Sequence, residues 1–282
     1  MTSPLPPEGY PAPLDRVAGL QLDESVYPAN VDYVALGIGP GDIPALIDIA
    51  TDRRFDDVPV PVAWAPVHAW RALGQLRAAD AAEPLTLRLQ GDDLDDYELG
   101  DLPRALGKIG APALPVLARY LSNPQSQTWS RVATAEAVGE VGQAHPDARD
   151  ECVALLSNQL REFRDQDPTV NAFLVTGLLD LEDVEAVPII EEVYTSGLID
   201  ESINGDWEDV RVELGLLPAR LTPRRSLLAR RMHDIMARVA HASPPPQVKQ
   251  DRAAPQMKHD RAAEKRRRKI AKQSKRRNKR RK

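Results

Sequence analysis

The chain has 282 residues, of which 42% are hydrophobic and only 5% are aromatic. That hydrophobic content is enough for a core, and a core of mainly aliphatic side chains suits stacked helices better than a β-sandwich. The single cysteine, Cys152, excludes an internal disulfide and any multi-cysteine zinc site. Neither a secretory signal nor a run of about 20 apolar residues is evident, so we expect a soluble, cytoplasmic protein.

The formal net charge of −5 conceals two oppositely charged regions. Residues 242–282 carry 17 Lys or Arg and 3 Asp or Glu, a net charge of +14, so the rest of the chain carries −19. Like charges at this density repel one another, which predicts a disordered basic tail. Residues 1–22 are rich in proline and are predicted to form a flexible leader. The predicted domains are therefore 1–22, 23–241 and 242–282.

A short Ala-Leu-Gly phrase recurs between the leader and the tail. It ends at Gly37, Gly74 and Gly107, and looser forms end at Gly139 (Ala-Val-Gly) and Gly177 (Val-Thr-Gly); these glycines are separated by 37, 33, 32 and 38 residues. A near-regular period of this length is typical of helical repeat arrays, in which each unit packs against its neighbours. Glycine inside a helix costs about 1 kcal/mol relative to alanine, so its recurrence indicates close helix approach or a turn.

Five helix pairs are predicted from this period. In each pair an apolar helix near the glycine is followed by a turn and a second amphipathic helix. In chain order the pairs are 28–36 with 43–49, 64–76 with 84–89, 102–109 with 115–121, 129–141 with 148–163, and 170–181 with 187–194. Proline suits the first turn of a helix, where its missing N–H is not needed. Four of the second helices have one there: Pro44, Pro84, Pro115 and Pro188.

The two ends of this array are less regular. In the first pair, the apolar face is predicted to consist of Val31, Val34, Ala35 and Leu36. A sixth pair is predicted over 205–241, because Gly215 falls 38 residues after Gly177 and Thr222-Pro223 follow where a second helix should begin. The apolar face of that helix would be Leu228, Met232, Ile235, Met236 and Val239. Arginines along the same helix would give the array a polar cap.

The residues around three of the glycines resemble a known repeat. The phrases are Arg71-Ala72-Leu73-Gly74, Arg104-Ala105-Leu106-Gly107 and the run from Ala133 to Gly142. With the prolines that open the second helices, they resemble HEAT repeats, specifically the phycobilisome-lyase (PBS lyase) type of HEAT-like repeat, over residues 28–197 and, more weakly, 205–241. The resemblance implies an all-α fold, an α-solenoid of about six helix pairs whose second helices line a concave face. It also implies binding, with catalysis confined to the bilin-lyase branch.

Binding residues are therefore predicted on the second helices. Polar side chains there could form a groove for a protein partner, and the candidates by position are Arg119, Tyr120, Asn158, Arg161 and Tyr194. Charged side chains on an amphipathic helix are usually only solvated, so each candidate also has this plainer interpretation. Trp207 lies among acidic residues and is either a partner contact or a side chain buried against the sixth pair.

The basic tail is the strongest functional feature of the sequence. Its densest stretches include Lys265, Arg266, Arg267, Arg268, Lys269, Lys275, Arg276 and Arg277. Such side chains neutralise phosphates, and this binding weakens steeply with salt. The tail has no aromatic residue to stack on bases, so contact with RNA, DNA or a ribosome would be electrostatic. The tail could instead fold back on the acidic body, or serve only solubility or localisation.

No motif for catalysis, cofactor binding or metal binding is evident. The run from Asp92 to Asp101 has carboxylates that could hold a divalent cation, but it departs from the EF-hand pattern, and a solvated loop is the favoured interpretation. None of the five histidines shows metal-ligand spacing, and His68 is expected to pack on its helix. Cys152 is expected to be a small buried side chain. We therefore predict a non-enzymatic adaptor without a cofactor; the alternative is a bilin-lyase-like or other catalytic helper.

Overall fold

The computed structural model describes residues 13–20, 31–91 and 94–223, and the regular secondary structure in these ranges is entirely helical. The chain divides into two compact units, Met1–Ile190 and Glu191–Lys282. The helices are α1 (Leu14–Val17), α2 (Ile43–Thr51), α3 (Ala65–Gln75), α4 (Ala82–Arg88), α5 (Asp96–Ile109), α6 (Leu114–Leu121), α7 (Thr128–Ala144), α8 (Arg149–Arg161), α9 (Pro168–Asp180), α10 (Val187–Ser196), α11 (Glu201–Asn204) and α12 (Trp207–Glu213).

In the first unit the helices lie in two rows. The first row consists of α3, α5, α7 and α9, each packed on the next. The second row consists of α2, α4, α6 and α8, again each in contact with the next. The rows are joined because α2 packs on α3, α4 on α5, α6 on α7, and α8 on both α7 and α9. Both rows contribute buried aliphatic side chains, such as Leu46, Leu73, Leu85, Leu106, Leu117, Val138 and Leu156.

The second-row helices share a common local structure. Each is preceded directly by a one-turn 3-10 helix, and these are Pro40–Asp42, Ala79–Ala81, Ala111–Ala113 and Pro146–Ala148. Pro44 and Pro115 are the second residues of α2 and α6, and Pro84 is the third residue of α4. The predicted position of proline in the first turn is therefore confirmed, and its missing N–H leaves no helical acceptor unsatisfied.

Glycine allows the first-row helices to approach one another closely. A Cβ added at Gly107 of α5 would lie 2.5 Å from the Cβ of Glu140 on α7. A Cβ added at Gly74 of α3 would lie 3.0 Å from a backbone atom of α5. Gly139 of α7 instead faces the Cα of Gly177 on α9, where an added Cβ would make an ordinary contact at 3.6 Å. Close helix approach, one of the two explanations for the recurring glycines, is thus confirmed at Gly74 and Gly107.

The prediction of a helix just before Gly37, as the first helix of the first pair, is wrong. The segment that ends at Gly37 forms turns and no α-helix, and Val34 and Leu36 are 58% and 40% exposed. Tyr33 and Ile38 are buried in their place. Gly37 has a φ of 77°, a left-handed conformation that ends helical geometry and turns the chain toward α2.

The carboxylate-rich run over 92–101 is the expected solvated loop only in part, because Asp95 and Asp96 are exposed but the residues from Asp96 onward belong to α5. Asp95 is the N-cap of α5, and its side chain accepts hydrogen bonds from the backbone N–H groups of Tyr97 and Glu98. Glu98 in turn accepts one from the N–H of Asp95, completing a capping box. Glu98 and Asp101 lie within α5 and are buried. Residues 92–93 are outside the described part of the chain.

In the second unit the described residues form the end of α10, then α11 and α12. Val210 of α12 is buried, and Tyr194 of α10 packs on Trp207, with ring centroids 5.7 Å apart. α12 corresponds to the first helix of the predicted sixth pair and is followed by Gly215, whose φ is 72°. The predicted second helix of that pair, the basic tail, and residues 1–12 and 21–22 of the leader lie outside the described residues.

Candidate functional site

An exposed polar surface runs over α4, α6 and α8 of the second row. The guanidinium of Arg119 on α6 pairs with Glu83 of α4 and lies 5.0 Å from the ring centroid of Tyr120. The Tyr120 hydroxyl also donates to Glu83, at 3.4 Å. On α8, Arg161 donates to the side-chain carbonyl of Asn158. These five residues are called the second-row surface below.

Four of the five predicted groove residues therefore lie on two neighbouring helices, α6 and α8. Arg119, Asn158 and Arg161 are exposed, and Tyr120 is half-buried. Because α6 contacts α8, these four side chains lie on neighbouring helices of the second row. The amphipathic pattern of each helix was sufficient to predict this, since the polar residues alternate with buried leucines at helical spacing.

Tyr194, the fifth candidate, is buried and does not line an exposed surface, contrary to the prediction. Ile190, three and four residues before Val193 and Tyr194, lies on the same side of α10, and all three side chains are buried. Burial, followed by repulsion from nearby carboxylates such as Glu201, raises the pKa of its hydroxyl well above the ordinary value. Tyr194 is therefore a core residue of the second unit.

A buried polar cluster between α3 and α5 was not anticipated from the sequence. It consists of Tyr33, His68, Arg71 and Asp101 and is called the His68 cluster; each member is at most 9% exposed. The Tyr33 hydroxyl lies 2.8 Å from Nδ1 of His68, and Nε of Arg71 donates to Asp101 at 2.7 Å. The backbone N–H of Tyr33 donates to the side chain of Gln75 at 2.9 Å. These bonds clamp the turn before α2 onto α3.

The electrostatics of the His68 cluster fix the role of each group. Burial, and next the positive charge of Arg71, lowers the pKa of His68 to about 4, so the imidazole is neutral at pH 7. Burial raises the pKa of Tyr33 above its usual range, so the phenol keeps its proton, and its oxygen is hydrogen-bonded to His68 Nδ1. With His68 fully buried and Tyr33 2% exposed, the geometry supports a structural clamp better than a reactive pair that meets a substrate.

A second polar cluster, the Glu98 cluster, joins the rows near the start of α5; Glu98 and Arg88 are buried, whereas Arg53 and Asp56 are 47% and 44% exposed. One carboxylate oxygen of Glu98 accepts from Nε of Arg88 at 2.7 Å and lies 3.0 Å from Nη1 of Arg53. Arg88 also pairs with Asp56 at 2.9 Å, and its guanidinium lies 5.7 Å from the ring centroid of Trp70. Burial raises the pKa of Glu98, and the N–H of Asp95 and the two arginines oppose that rise. The buried charges are thus balanced within the cluster.

Sequence reasoning missed both clusters because their members come from distant parts of the chain. Tyr33 and His68 are 35 residues apart, and Arg71 and Asp101 are 30 apart. The acidic residues beside Tyr97 are typical of the first turn of a helix and could have indicated the start of α5. The sequence does not show which arginines pair with them, because that depends on how the helices pack.

Other candidate chemistry is limited in the described ranges. Within 13–20, 31–91 and 94–223, no group of three or more His, Cys, Asp or Glu side chains is placed to hold a metal ion. In the same ranges, no helix combines the length and apolar character required to cross a membrane. Cys152 is buried, as predicted, and burial raises the pKa of its thiol to about 12, which leaves it unreactive at neutral pH.

The predicted electrostatic residues, between 265 and 277, lie outside the described residues. Comparison of the chain with protein-family models, curated proteins and solved structures found no match. The resemblance to HEAT-like repeats therefore stays a prediction from the sequence.

Proposed function

We propose that the chain is a non-enzymatic protein-binding scaffold, an α-solenoid adaptor built from HEAT-like helix pairs. In this proposal the second-row surface binds a protein partner, and residues 242–282 bind RNA or another acidic surface. The observation that carries the proposal is the grouping of Arg119, Tyr120, Asn158 and Arg161 on adjacent exposed helices.

The arrangement of the rows supports a role in recognition. Each helix of a row contacts the next, so the exposed face extends from helix to helix and can contact a long partner segment. Arg and Tyr are enriched among residues that dominate binding energy, because they combine apolar area with directional hydrogen bonds. Arg119 and Tyr120 offer such groups side by side, with Glu83 holding the guanidinium in place.

A charge-reversal experiment tests the protein-binding part of the proposal. Full-length protein carrying Arg119→Glu and Arg161→Glu should lose partner capture by chemical cross-linking. The matched control, Arg54→Glu with Arg77→Glu, makes the same change in charge at exposed positions outside the second-row surface and should keep it. Equal capture by both double variants would refute the second-row surface as the binding site.

The tail is tested separately by deletion of 243–282. The full chain should bind single-stranded RNA, and because binding rests on released counterions, retention should fall steeply between about 50 and 200 mM salt. The deleted chain should show no salt-sensitive retention. If RNA retention were unchanged by the deletion, the tail would not be the RNA-binding element, while the result for the second-row surface would stand.

A further inference from the structure

Arg131, in the first turn of α7, is a buried arginine whose hydrogen bonds go only to neutral groups. The residue is 6% exposed. Its Nε donates to the backbone carbonyl of Leu121 at 3.1 Å, and its Nη2 donates to the side-chain carbonyl of Gln166 at 2.5 Å. Its Nη1 donates to no described residue and is not closed off from solvent. One end of this guanidinium therefore remains available to an acceptor from outside the chain.

The other two buried arginines of the described ranges each have a carboxylate in contact. Arg71 pairs with Asp101, and Arg88 pairs with Glu98, both at 2.7 Å. Burial lowers the pKa of Arg131, and the charge of Asp167 opposes that fall. No ion pair joins these two residues, because the Asp167 side chain caps α9. A buried charge without a counter-charge in contact is costly, so Arg131 is placed to gain one from a ligand.

The first turn of α7 offers further donors. This helix has 17 residues, and its N-cap residue, Gln127, makes no side-chain hydrogen bond to the turn. By contrast, Asp95 and Asp167 cap α5 and α9. The Ser130 hydroxyl is buried in the same turn of α7 without a hydrogen-bond partner, and helical side chains lean toward the N-terminus. Free N–H groups at the start of a helix attract anions, so this turn and Arg131 favour the same kind of ligand.

The chain around this turn is unusually free of acidic residues. Residues 102–135 contain no Asp or Glu, although residues 1–241 as a whole have a net charge of −19. The same stretch contains four basic residues, which are Arg104, Lys108, Arg119 and Arg131. The loop between α8 and α9, which supplies Gln166, carries charges of both signs. An anion that approaches along α6 and the loop before α7 therefore meets no carboxylate from these segments.

The site adjoins the second-row surface. Leu121, whose carbonyl accepts from the guanidinium, follows Tyr120 at the end of α6. Gln166, the other acceptor, also accepts from the side chain of Gln159 at 3.0 Å, and Gln159 follows Asn158 near the end of α8. A partner that covers these helix ends would therefore pass close to the guanidinium.

We propose that Arg131 and the first turn of α7 bind one carboxylate group, presented as an Asp or Glu side chain by the protein that covers the second-row surface. The carboxylate accepts from Nη1 of Arg131 and from the N–H groups of the turn, and it supplies the counter-charge for the buried guanidinium. The partner segment is therefore acidic. This inference rests on the proposed function for the source of the carboxylate, whereas the anion site itself can be tested without a partner.

Nuclear magnetic resonance of the full chain tests the site with sodium formate, the simplest carboxylate. The Nε–H signal of Arg131 and the amide signals of residues 128–130 should shift saturably with formate and not with sodium chloride at equal ionic strength. Arg131→Gln should abolish the saturable shifts of those amides. Arg77→Gln removes the same charge at an exposed position away from α7 and should keep them.

The titration of the unsubstituted chain decides the matter even if Arg131→Gln unfolds. Arg131 as a structural brace alone would lower stability when substituted, but it would give no saturable formate shift, and that absence would overturn the proposal. Shifts with inorganic phosphate and none with formate would also overturn it, because the ligand would then not be a carboxylate.

A hexaglutamate peptide with blocked ends tests the source of the carboxylate, and hexaglutamine is its uncharged control. Hexaglutamate should bind the full chain, and Arg131→Gln should weaken that binding roughly tenfold, as expected for a lost hydrogen bond between charged groups. The double variant Arg119→Glu with Arg161→Glu should lose the peptide and keep the formate shift. Equal peptide affinity with and without Arg131 would overturn the inference. A formate shift together with undiminished partner capture by the double variant would refute the second-row surface and support the anion site alone.

Discussion

The two sides of α4 show how differently one helix uses its charges. Arg88 faces the first row and pairs with Glu98, and these side chains are only 5% and 2% exposed. Glu83 faces outward and pairs with Arg119, and these are 44% and 59% exposed. A desolvated pair must stay intact, whereas an exposed pair is screened by water and ions. The ion pair between the rows therefore maintains the fold, and the exposed ion pair on the outer side of the second row can be broken at little cost in stability.

The largest difference is expected from removing one carboxylate on each side. Glu98→Ala removes the buried carboxylate that Arg88 and Arg53 share, although Arg88 keeps Asp56, and should lower the free energy of unfolding by about 3 kcal/mol, the lower end for a broken buried pair. Glu83→Ala breaks an exposed pair and should lower it by less than about 1 kcal/mol. Urea unfolding of both variants measures the two values, and similar losses would refute the contrast between the two sides.

The pH dependence of stability should show a second effect of the interior. The folded pKa of His68 is about 4, below its unfolded value of 6.5, so the unfolded chain binds the proton more readily. Stability from neutral His68 is complete above pH 6.5 and is lost as the pH falls, by about 3 kcal/mol at pH 4.

Denaturant unfolding of the unsubstituted chain and of His68→Gln at pH 7 and pH 4 isolates this effect. The variant has no group that titrates at this position, so its stability should fall less between the two pH values. An equal fall in both chains would show that His68 does not carry the acid sensitivity.

Much of the helical framework could be predicted from the sequence. Apolar periodicity located the helices from α3 to α10, and proline marked the starts of the second-row helices because it removes a donor that the first turn does not use. The exposed positions of Arg119 and Arg161 also followed from that periodicity, since it depends only on neighbours along one helix.

The rest depended on contacts that local pattern does not contain. Glu98 and Asp101 look like members of a solvated run, and only packing brings Arg88 and Arg71 against them. The turn around Tyr33 has the apolar content of a helix, but its buried residue is the one that reaches His68. In both places tertiary contacts outweigh local composition, so the sequence of each segment alone could not predict which of these side chains would be buried.

Close packing in the interior should appear in a matched pair of glycine substitutions. Gly107→Ala forces a Cβ within 2.5 Å of Glu140, and overpacking of this kind costs about 1–3 kcal/mol, partly offset by the better helix propensity of alanine. Gly139→Ala makes only an ordinary contact at 3.6 Å and should be neutral or slightly stabilising. Thermal unfolding should therefore rank Gly107→Ala below the unsubstituted chain and Gly139→Ala at or above it. The opposite order would exclude close approach as the reason for Gly107.

The smallest effect is expected at the exposed C-terminal ends of α3 and α9 in the first row. These ends belong neither to the interior between the rows nor to the outer side of the second row. Arg77 after α3 and Glu182 after α9 have φ angles of 50° and 54°, and the next N–H in each case bonds back into the last turn, as in a Schellman motif. Glycine adopts this conformation without the Cβ conflict, so Arg77→Gly and Glu182→Gly should each stabilise by up to about 1 kcal/mol. Lys108→Gly, at an exposed position inside α5, should instead destabilise by about 1 kcal/mol. Because all three side chains are exposed, a change in stability of opposite sign at Arg77 and Glu182 than at Lys108, measured by urea unfolding, would come from the backbone alone. A loss of stability at Arg77 or Glu182 would show that the side chain contributes more than its left-handed conformation costs.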